Sequence, residues 1–213
     1  MTAIHIKAFC FNPFYENTYL IYNDAGVCWI VDPGCSNQEE QEKLSSFIRE
    51  YELRPVKLLL THGHIDHILG CAFVYHKFGL SPEMHLKELE IYNSGSYVGA
   101  MYGIEYIAGP PPGLFLVDGQ TLLLGDSSLT CILCPGHSPG SICFYNKEQK
   151  FLIGGDVLFE GSIGRTDLPG GDHDSLIRNI KARIFSLDKN VVVYPGHGGA
   201  TTVGQEILTN PFF

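Results

Sequence analysis

The stretch Thr61-His62-Gly63-His64-Ile65-Asp66-His67 sets three imidazoles and one carboxylate within seven residues. A solvated turn has no use for such a set, and an apolar core cannot accept it unpaired. Imidazole with carboxylate is the donor mixture that suits zinc, iron or manganese. Three later stretches repeat the theme: Pro135-Gly136-His137-Ser138-Pro139-Gly140, Gly154-Gly155-Asp156 and Pro195-Gly196-His197-Gly198-Gly199. Each sets one metal-type residue among glycines, which let backbone approach a crowded centre. Taken singly, His137 and His197 read as hydrogen-bonded loop histidines and Asp156 as a turn former. Beside the first cluster they read as ligands.

The candidate ligands are therefore His62, His64, Asp66, His67, His137, Asp156 and His197. Seven exceed what one tetrahedral ion takes and suit two. His62 and His64, two apart in an extended loop, can face one ion, and Asp66 and His67 can turn toward a second. Asp156 could bridge. Asp32, at another strand end, is expected to orient a ligand from behind. His5, His76, His85 and His173 are expected to lie outside the centre.

The surrounding elements say how these loops are held. Residues 56–60 read as a short buried strand and residues 68–78 as a helix. The first cluster thus sits at the carboxyl end of a strand, where α/β proteins place their sites. Strands over residues 4–11, 18–22 and 27–31 open the chain. Ser36 and Glu39 read as a capping box, starting a helix with Leu44, Phe47, Ile48 and Tyr51 on one face. After a strand at 83–85 and a helix at 86–93 comes a loose stretch, 94–113, rich in Gly, Tyr and Pro, a candidate flap. Strands follow at 114–117, 121–124, 129–134, 141–145 and 151–153, then a loop over 156–171. Asp172 or Asp174 caps a further helix, and a strand at 191–194 and a short helix from Val203 close the pattern. The two halves mirror one another. The expected fold is α/β, a four-layer αβ/βα sandwich of two packed mixed sheets with helices outside, formed by residues 1–213 as a single domain.

Composition sets limits. With 213 residues and 45% apolar residues, the chain can bury one sizeable core. A net charge of -9, with no basic patch, argues against a nucleic-acid partner. The seven cysteines are odd in number and scattered, so a disulfide framework is not expected. Cys131 and Cys134 resemble a redox or zinc pair, but they fall in an apolar strand whose pleat should point them to opposite faces. No apolar run is long enough for a membrane span, and the N-terminus lacks the pattern of a secretory signal. Reduced cysteines and the missing signal point to the cytoplasm.

The order Asp32, T-H-G-H-I-D-H, P-G-H-S-P-G-S, G-G-D and P-G-H resembles the metallo-β-lactamase superfamily across nearly the whole chain. Within it the sequence resembles glyoxalase II (hydroxyacylglutathione hydrolase), especially its short single-domain relatives. Glu16-Asn17-Thr18-Tyr19, Gly164-Arg165-Thr166-Asp167 and Asn210-Pro211-Phe212-Phe213 carry that likeness. The resemblance implies that His62, His64 and His137 hold one metal, that Asp66, His67 and His197 hold a second, and that Asp156 bridges. It also implies two divalent ions, zinc first, with iron or manganese as alternatives. The pattern departs from glyoxalase II in three ways. The helical C-terminal domain that helps bind glutathione is not expected in so short a chain. Arg165 and Asp167 stand where that family has Lys and Tyr. Gly63 and Ile65 replace bulkier residues.

The leading expectation is hydrolysis of a thioester of the S-2-hydroxyacyl-glutathione type. A dinuclear centre would lower the pKa of a water and polarise the acyl carbonyl, with Asp66 orienting the attacking oxygen. Arg165 is the candidate for binding a carboxylate of the thiol carrier, since guanidinium matches carboxylate bidentately. The Gly-Arg-Thr-Asp run also resembles persulfide dioxygenases of the same superfamily, which would use one iron on His62, His137 and Asp156. A non-catalytic metal-binding domain is the third reading. β-Lactamase activity is not expected, because that branch is exported and typically lacks the Asp at position 66.

Overall fold

A computed structural model describes residues 3–213. Met1 and Thr2, on which the reading of the N-terminus partly rests, lie outside the described residues. The first sheet runs β1 (Ile4–Phe11), β2 (Glu16–Asn23), β3 (Val27–Val31), β4 (Arg54–Leu59), β5 (Pro82–His85) and β6 (Leu114–Leu116), in that spatial order. Its first three strands are antiparallel and its last four parallel. Helix α1 (Gln38–Glu50) makes the crossover from β3 to β4, and α2 (Ile65–Ile68) and α3 (Cys71–Phe78) lead from β4 to β5. A 3-10 turn (Leu86–Glu88), α4 (Leu89–Asn93) and α5 (Gly95–Tyr102) follow.

The second sheet holds β7 (Thr121–Leu124), β8 (Ser127–Leu133), β9 (Ile142–Asn146), β10 (Phe151–Gly155), β13 (Val192–Pro195) and β14 (Thr201–Thr202). Between β10 and β13 the chain makes a small hairpin, β11 (Leu158–Phe159) with β12 (Ser162–Ile163), then α6 (His173–Asn179) and a π turn (Ile180–Ile184). Helix α7 (Val203–Thr209) comes last.

Strand periodicity sorts the apolar residues into three layers. In β3, Trp29 and Val31 face the second sheet, while Cys28 and Ile30 face the helix layer beneath α1. In β8, Cys131 joins the inter-sheet core, and Ile132 lies on the side of α6 and the π turn. Each fully buried Leu or Ile in these layers contributes about 1.5–3 kcal/mol of transfer free energy. The result is the expected four-layer sandwich: helices, sheet, sheet, helices. No described helix is long and apolar enough to cross a membrane.

Several local expectations need correction. The helix-starting motif sits one residue later than Ser36 and Glu39: Asn37 caps α1 by accepting from the Glu40 amide at 3.0 Å. Glu40 in turn accepts from the Ser36 amide at 2.7 Å. The helix expected over 68–78 starts at Ile65 as α2, which takes Asp66 and His67 out of the loop, and it breaks before α3 where the Gly70 amide donates to the Pro33 carbonyl at 2.7 Å. The stretch 94–113 is not loose throughout, since α5 occupies most of its first half. Gly95 and Gly99 give α5 a loop-like composition, yet a Cβ on Gly95 would strike the Tyr106 ring, so the helix takes glycine for close packing. Asp172, rather than Asp174, caps α6. All seven cysteines are free, and Cys131 and Cys134 lie in different layers, as the pleat requires.

Candidate metal centre

The loops singled out from sequence all leave the carboxyl ends of strands: residues 61–67 after β4, His137 after β8, Asp156 after β10 and His197 after β13. Both sheets therefore deliver side chains to one rim. The Ile142 amide donates to the Thr61 carbonyl at 2.8 Å, and the Gly196 amide to the Gly155 carbonyl at 2.9 Å. A Cβ on Gly196 would overlap the Asp156 carboxylate and crowd the His67 ring. Only glycine lets that backbone pass so near the carboxylate.

Two sets of donors form. His64 Nδ1 lies 2.8 Å from His137 Nε2, which lies 3.2 Å from His62 Nε2. Asp66 Oδ2 lies 3.1 Å from His197 Nε2 and 3.7 Å from His67 Nε2. Within each set the donor atoms lie inside 4.8 Å of one another. Asp156 stands between the sets. Its Oδ2 is 3.6 Å from His137 Nε2 and 3.5 Å from His197 Nε2, and its Oδ1 is 3.4 Å from His67 Nε2. All seven candidates thus converge. His5 is elsewhere, paired with Asp24 at 2.7 Å, and His85 accepts from the Lys87 amide. His76 lies against Tyr75 and His173 against Phe212.

The outer nitrogen of most of these rings is already engaged. His137 Nδ1 donates to the Arg165 carbonyl at 2.7 Å, and His197 Nδ1 to the Phe14 carbonyl at 3.0 Å. His67 Nδ1 donates to Asp32 Oδ2 at 3.1 Å. The Thr61 hydroxyl donates to Asp32 at 2.6 Å, so it accepts from His62 Nδ1 at 3.0 Å. These bonds turn the Nε2 atoms inward and fix which nitrogen is available to an ion. His67 Nε2 and Asp156 Oδ1 are buried without a hydrogen-bond partner. An orphaned buried polar atom costs about 1–3 kcal/mol, and a cation between the sets would remove that cost. The donor set fits divalent metal. Asp32, His62 and His67 also lie close together. Asp32 is spent there on the Thr61 amide at 2.7 Å, the Thr61 hydroxyl and His67, so it braces the ligands from behind.

The two sets differ electrically. Burial, then the neighbouring histidines, pushes His62 well below the ordinary imidazole range. Burial and then His137 bring His64 down to about 3, and burial lowers His137. In the other set burial also opposes charge on His67, but the Asp66 and Asp156 carboxylates outweigh it and raise His67 well above its ordinary value. His197 is likewise raised to about 9: hydrogen bonds to Asp156 and Asp66 overcome its burial. Burial opposes ionisation of Asp156, yet His67 and His197 hold it well below the usual carboxylate range.

A cavity of about 470 Å³ opens over His64, Asp66, His137, Asp156 and His197. Phe14, Ile91, Val98, Phe159 and Leu168 give it mainly apolar walls, supplied by the first hairpin turn, α4, α5 and the loop after β10. Arg165 lines the cavity, but its guanidinium donates bidentately to Asp167, with both bonds at 2.7 Å.

Several supports were not singled out from sequence. Asn12 donates to the carbonyls of Gly34 and Asp66 at 3.0 and 2.9 Å. Asn17 donates to the carbonyls of Pro195 and Gly198, and the Tyr19 hydroxyl to Pro195 at 2.6 Å. The Glu16-Asn17-Thr18-Tyr19 run thus grips the His197 loop. Buried Glu206 accepts from Thr201, Asn210 and the Gly161 amide, anchoring the β11–β12 hairpin beside the cavity. Buried Glu88 binds two of the histidine loops. A signal existed only for residues 16–19 and Asn210, through the family likeness.

Known proteins share this sequence pattern and fold. The profile of the Metallo-beta-lactamase superfamily matches residues 11–197. The hydroxyacylglutathione hydrolase GloC of Haemophilus influenzae is 37% identical over 201 residues, covering 93% of each chain. Among solved structures, the BLEG-1 B3 metallo-beta-lactamase aligns with a TM-score of 0.88 at 35% identity, covering 98% of this chain and 99% of that one. TTHA1623 in a di-iron-bound form also gives a TM-score of 0.88 at 35% identity, covering 97% of this chain and all of its own (100%). The chain belongs to the metallo-beta-lactamase superfamily.

Proposed function

From membership of that superfamily, we propose that the protein is a metal-dependent hydrolase of thioesters, of the S-2-hydroxyacyl-glutathione class. The observation that carries this reading is the placement of Asp156 between two complete donor sets. His62, His64 and His137 would hold one ion, Asp66, His67 and His197 the other, and Asp156 both. Zinc is the first choice of metal, and the di-iron form of TTHA1623 makes iron the second. Two such ions, when bound, acidify a water and polarise an acyl carbonyl.

The chain's own residues supply the rest. Asp66, beside His197 at 3.1 Å and facing the cavity, orients the attacking water. Apolar walls hold the acyl group and exclude bulk water. A thiolate leaving group needs little acid assistance, since a thiol pKa is about 8.5. Arg165 lies at the mouth, where it would meet a carboxylate of the carrier only by leaving Asp167.

The test pairs elemental analysis of protein purified without added metal with a thioester hydrolysis assay in an oxygen electrode. Two ions per chain and hydrolysis without oxygen uptake are expected. One iron per chain with oxygen consumption on glutathione persulfide would replace this reading with a dioxygenase. Turnover of a β-lactam but of no thioester would replace it with a lactamase.

A further inference from the structure

Glu88 ends the 3-10 turn after β5, and its side chain is fully buried, with 0% exposure. A carboxylate so placed must be compensated, because isolated buried charge is expensive. Its compensation comes from two loops of different sheets. Oε2 accepts from the Gly63 amide at 2.9 Å, between His62 and His64. Oε1 accepts from the Ser138 hydroxyl at 2.8 Å and the Gly140 amide at 2.5 Å, in the loop that carries His137. Ser138 is itself fixed by the Ser141 hydroxyl at 2.7 Å. Hydrogen bonds to a charged acceptor contribute about 1.5–3 kcal/mol each, so this contact is among the firmest between the two loops.

The same carboxylate has no contact with Asp66, His67 or His197. Those residues are braced by Asp32, by Asn12 and by the grip of residues 16–19 on the His197 loop. Asp32 serves both sets, directly at His67 and through the Thr61 hydroxyl at His62, whereas Glu88 bonds only Gly63, Ser138 and Gly140, beside the three-histidine set.

We propose that Glu88 is the positioning residue of the three-histidine set: its carboxylate fixes the separation between the loop bearing His62 and His64 and the loop bearing His137. It touches neither metal nor substrate and acts through loop geometry. This inference rests on the two-ion reading above and adds a brace that acts on the three-histidine set, beside the Asp32 brace that the two sets share.

The test compares wild type, Glu88→Ala, Glu88→Gln, His197→Ala and the double variant Glu88→Ala/His197→Ala. Bound zinc per chain is measured after dialysis, and affinities come from competition with a chromophoric chelator. Circular dichroism reports folding. Glu88→Ala is expected to weaken one zinc by about 10–100-fold and leave the other unchanged, the usual size of a lost support behind a ligand. Glu88→Gln keeps an oxygen for Ser138 and Gly140 but turns an NH2 donor toward the Gly63 amide, so it should weaken the same zinc and no other. His197→Ala should release the other zinc, and the double variant should hold neither tightly.

A Glu88→Ala protein that melts earlier but keeps both affinities would make Glu88 a fold residue and overturn the proposal. A double variant that still holds one zinc tightly would place the effect of Glu88 in the wrong set. If Glu88→Ala does not fold, Glu88→Gln and Ser138→Ala decide by the same selective loss. A wild-type chain that binds two zinc ions but cleaves no thioester removes the proposed function and leaves this inference standing. One that binds no metal removes both.

Discussion

Around His62, His64 and His137 the protein presents neutral nitrogens, packed in the interior and clasped from one side by Glu88. Around Asp66, His67 and His197 it presents charge, in a more open setting where His197 is 27% exposed. The first set is ready for a cation without losing a proton. The second must exchange protons for one. The difference teaches that one fold can hold two similar ligand trios at different settings, by choosing what lies behind each ring.

Removing the residue that the two sets share should have the largest effect. Asp156→Ala should release both ions and lower kcat/KM by about 1,000-fold or more, as loss of several kcal/mol of metal stabilisation requires. Retention of one tight ion would show that the sets do not share it. Asp66→Ala breaks one set alone. It should leave about one ion per chain and lower thioester hydrolysis by about 100-fold. A variant that keeps turnover and takes up oxygen would point to a mononuclear dioxygenase.

The pH dependence of metal uptake sharpens the contrast further. His197, with its pKa near 9, and the raised His67 carry protons at neutral pH, and an ion must displace them. Affinity at that set should fall by about ten-fold per pH unit per displaced proton as pH drops from 8 to 6. At the other set His64, lowered to about 3, is already neutral, so its affinity should stay flat across that range. Calorimetric titrations at the two pH values would see one phase move and one hold still. Two phases moving together would erase the distinction.

Smaller effects come from the periphery. Asn12→Ala removes the donor to the Asp66 carbonyl and should weaken the charged set by about 10-fold while sparing the three-histidine set. Arg165→Ala should change KM for a glutathione thioester by less than about three-fold, since an exposed guanidinium–carboxylate pair contributes about 0–1 kcal/mol. A ten-fold rise in KM at constant kcat would mean that the guanidinium leaves Asp167 for the substrate.

The seven converging side chains were legible because they follow buried strands, most of them in glycine-flanked loops and Asp66 and His67 on the short helix α2 directly after one, a local pattern that survives without knowledge of contacts. The sandwich was legible for the same reason, through the period of its strands. The supports were not. Glu88 stands in His85-Leu86-Lys87-Glu88-Leu89-Glu90, where a charge reads as the solvated face of a helix. Only the burial of its turn beneath two distant loops reverses that reading, and no spacing encodes it. Asn12 reads as an ordinary turn residue, and its bonds to residues 34 and 66 are set by tertiary packing. Helix α5 was obscured by the glycines that let Tyr106 pack on it.

The most direct test is an anomalous difference map from crystals of protein purified without chelator or added metal. Two peaks about 3.5–4 Å apart are expected with the Asp156 carboxylate between them, one beside His62, His64 and His137 and one beside Asp66, His67 and His197. A single peak held by His62, His137 and Asp156, with Asp66 and His197 turned away, would contradict that expectation.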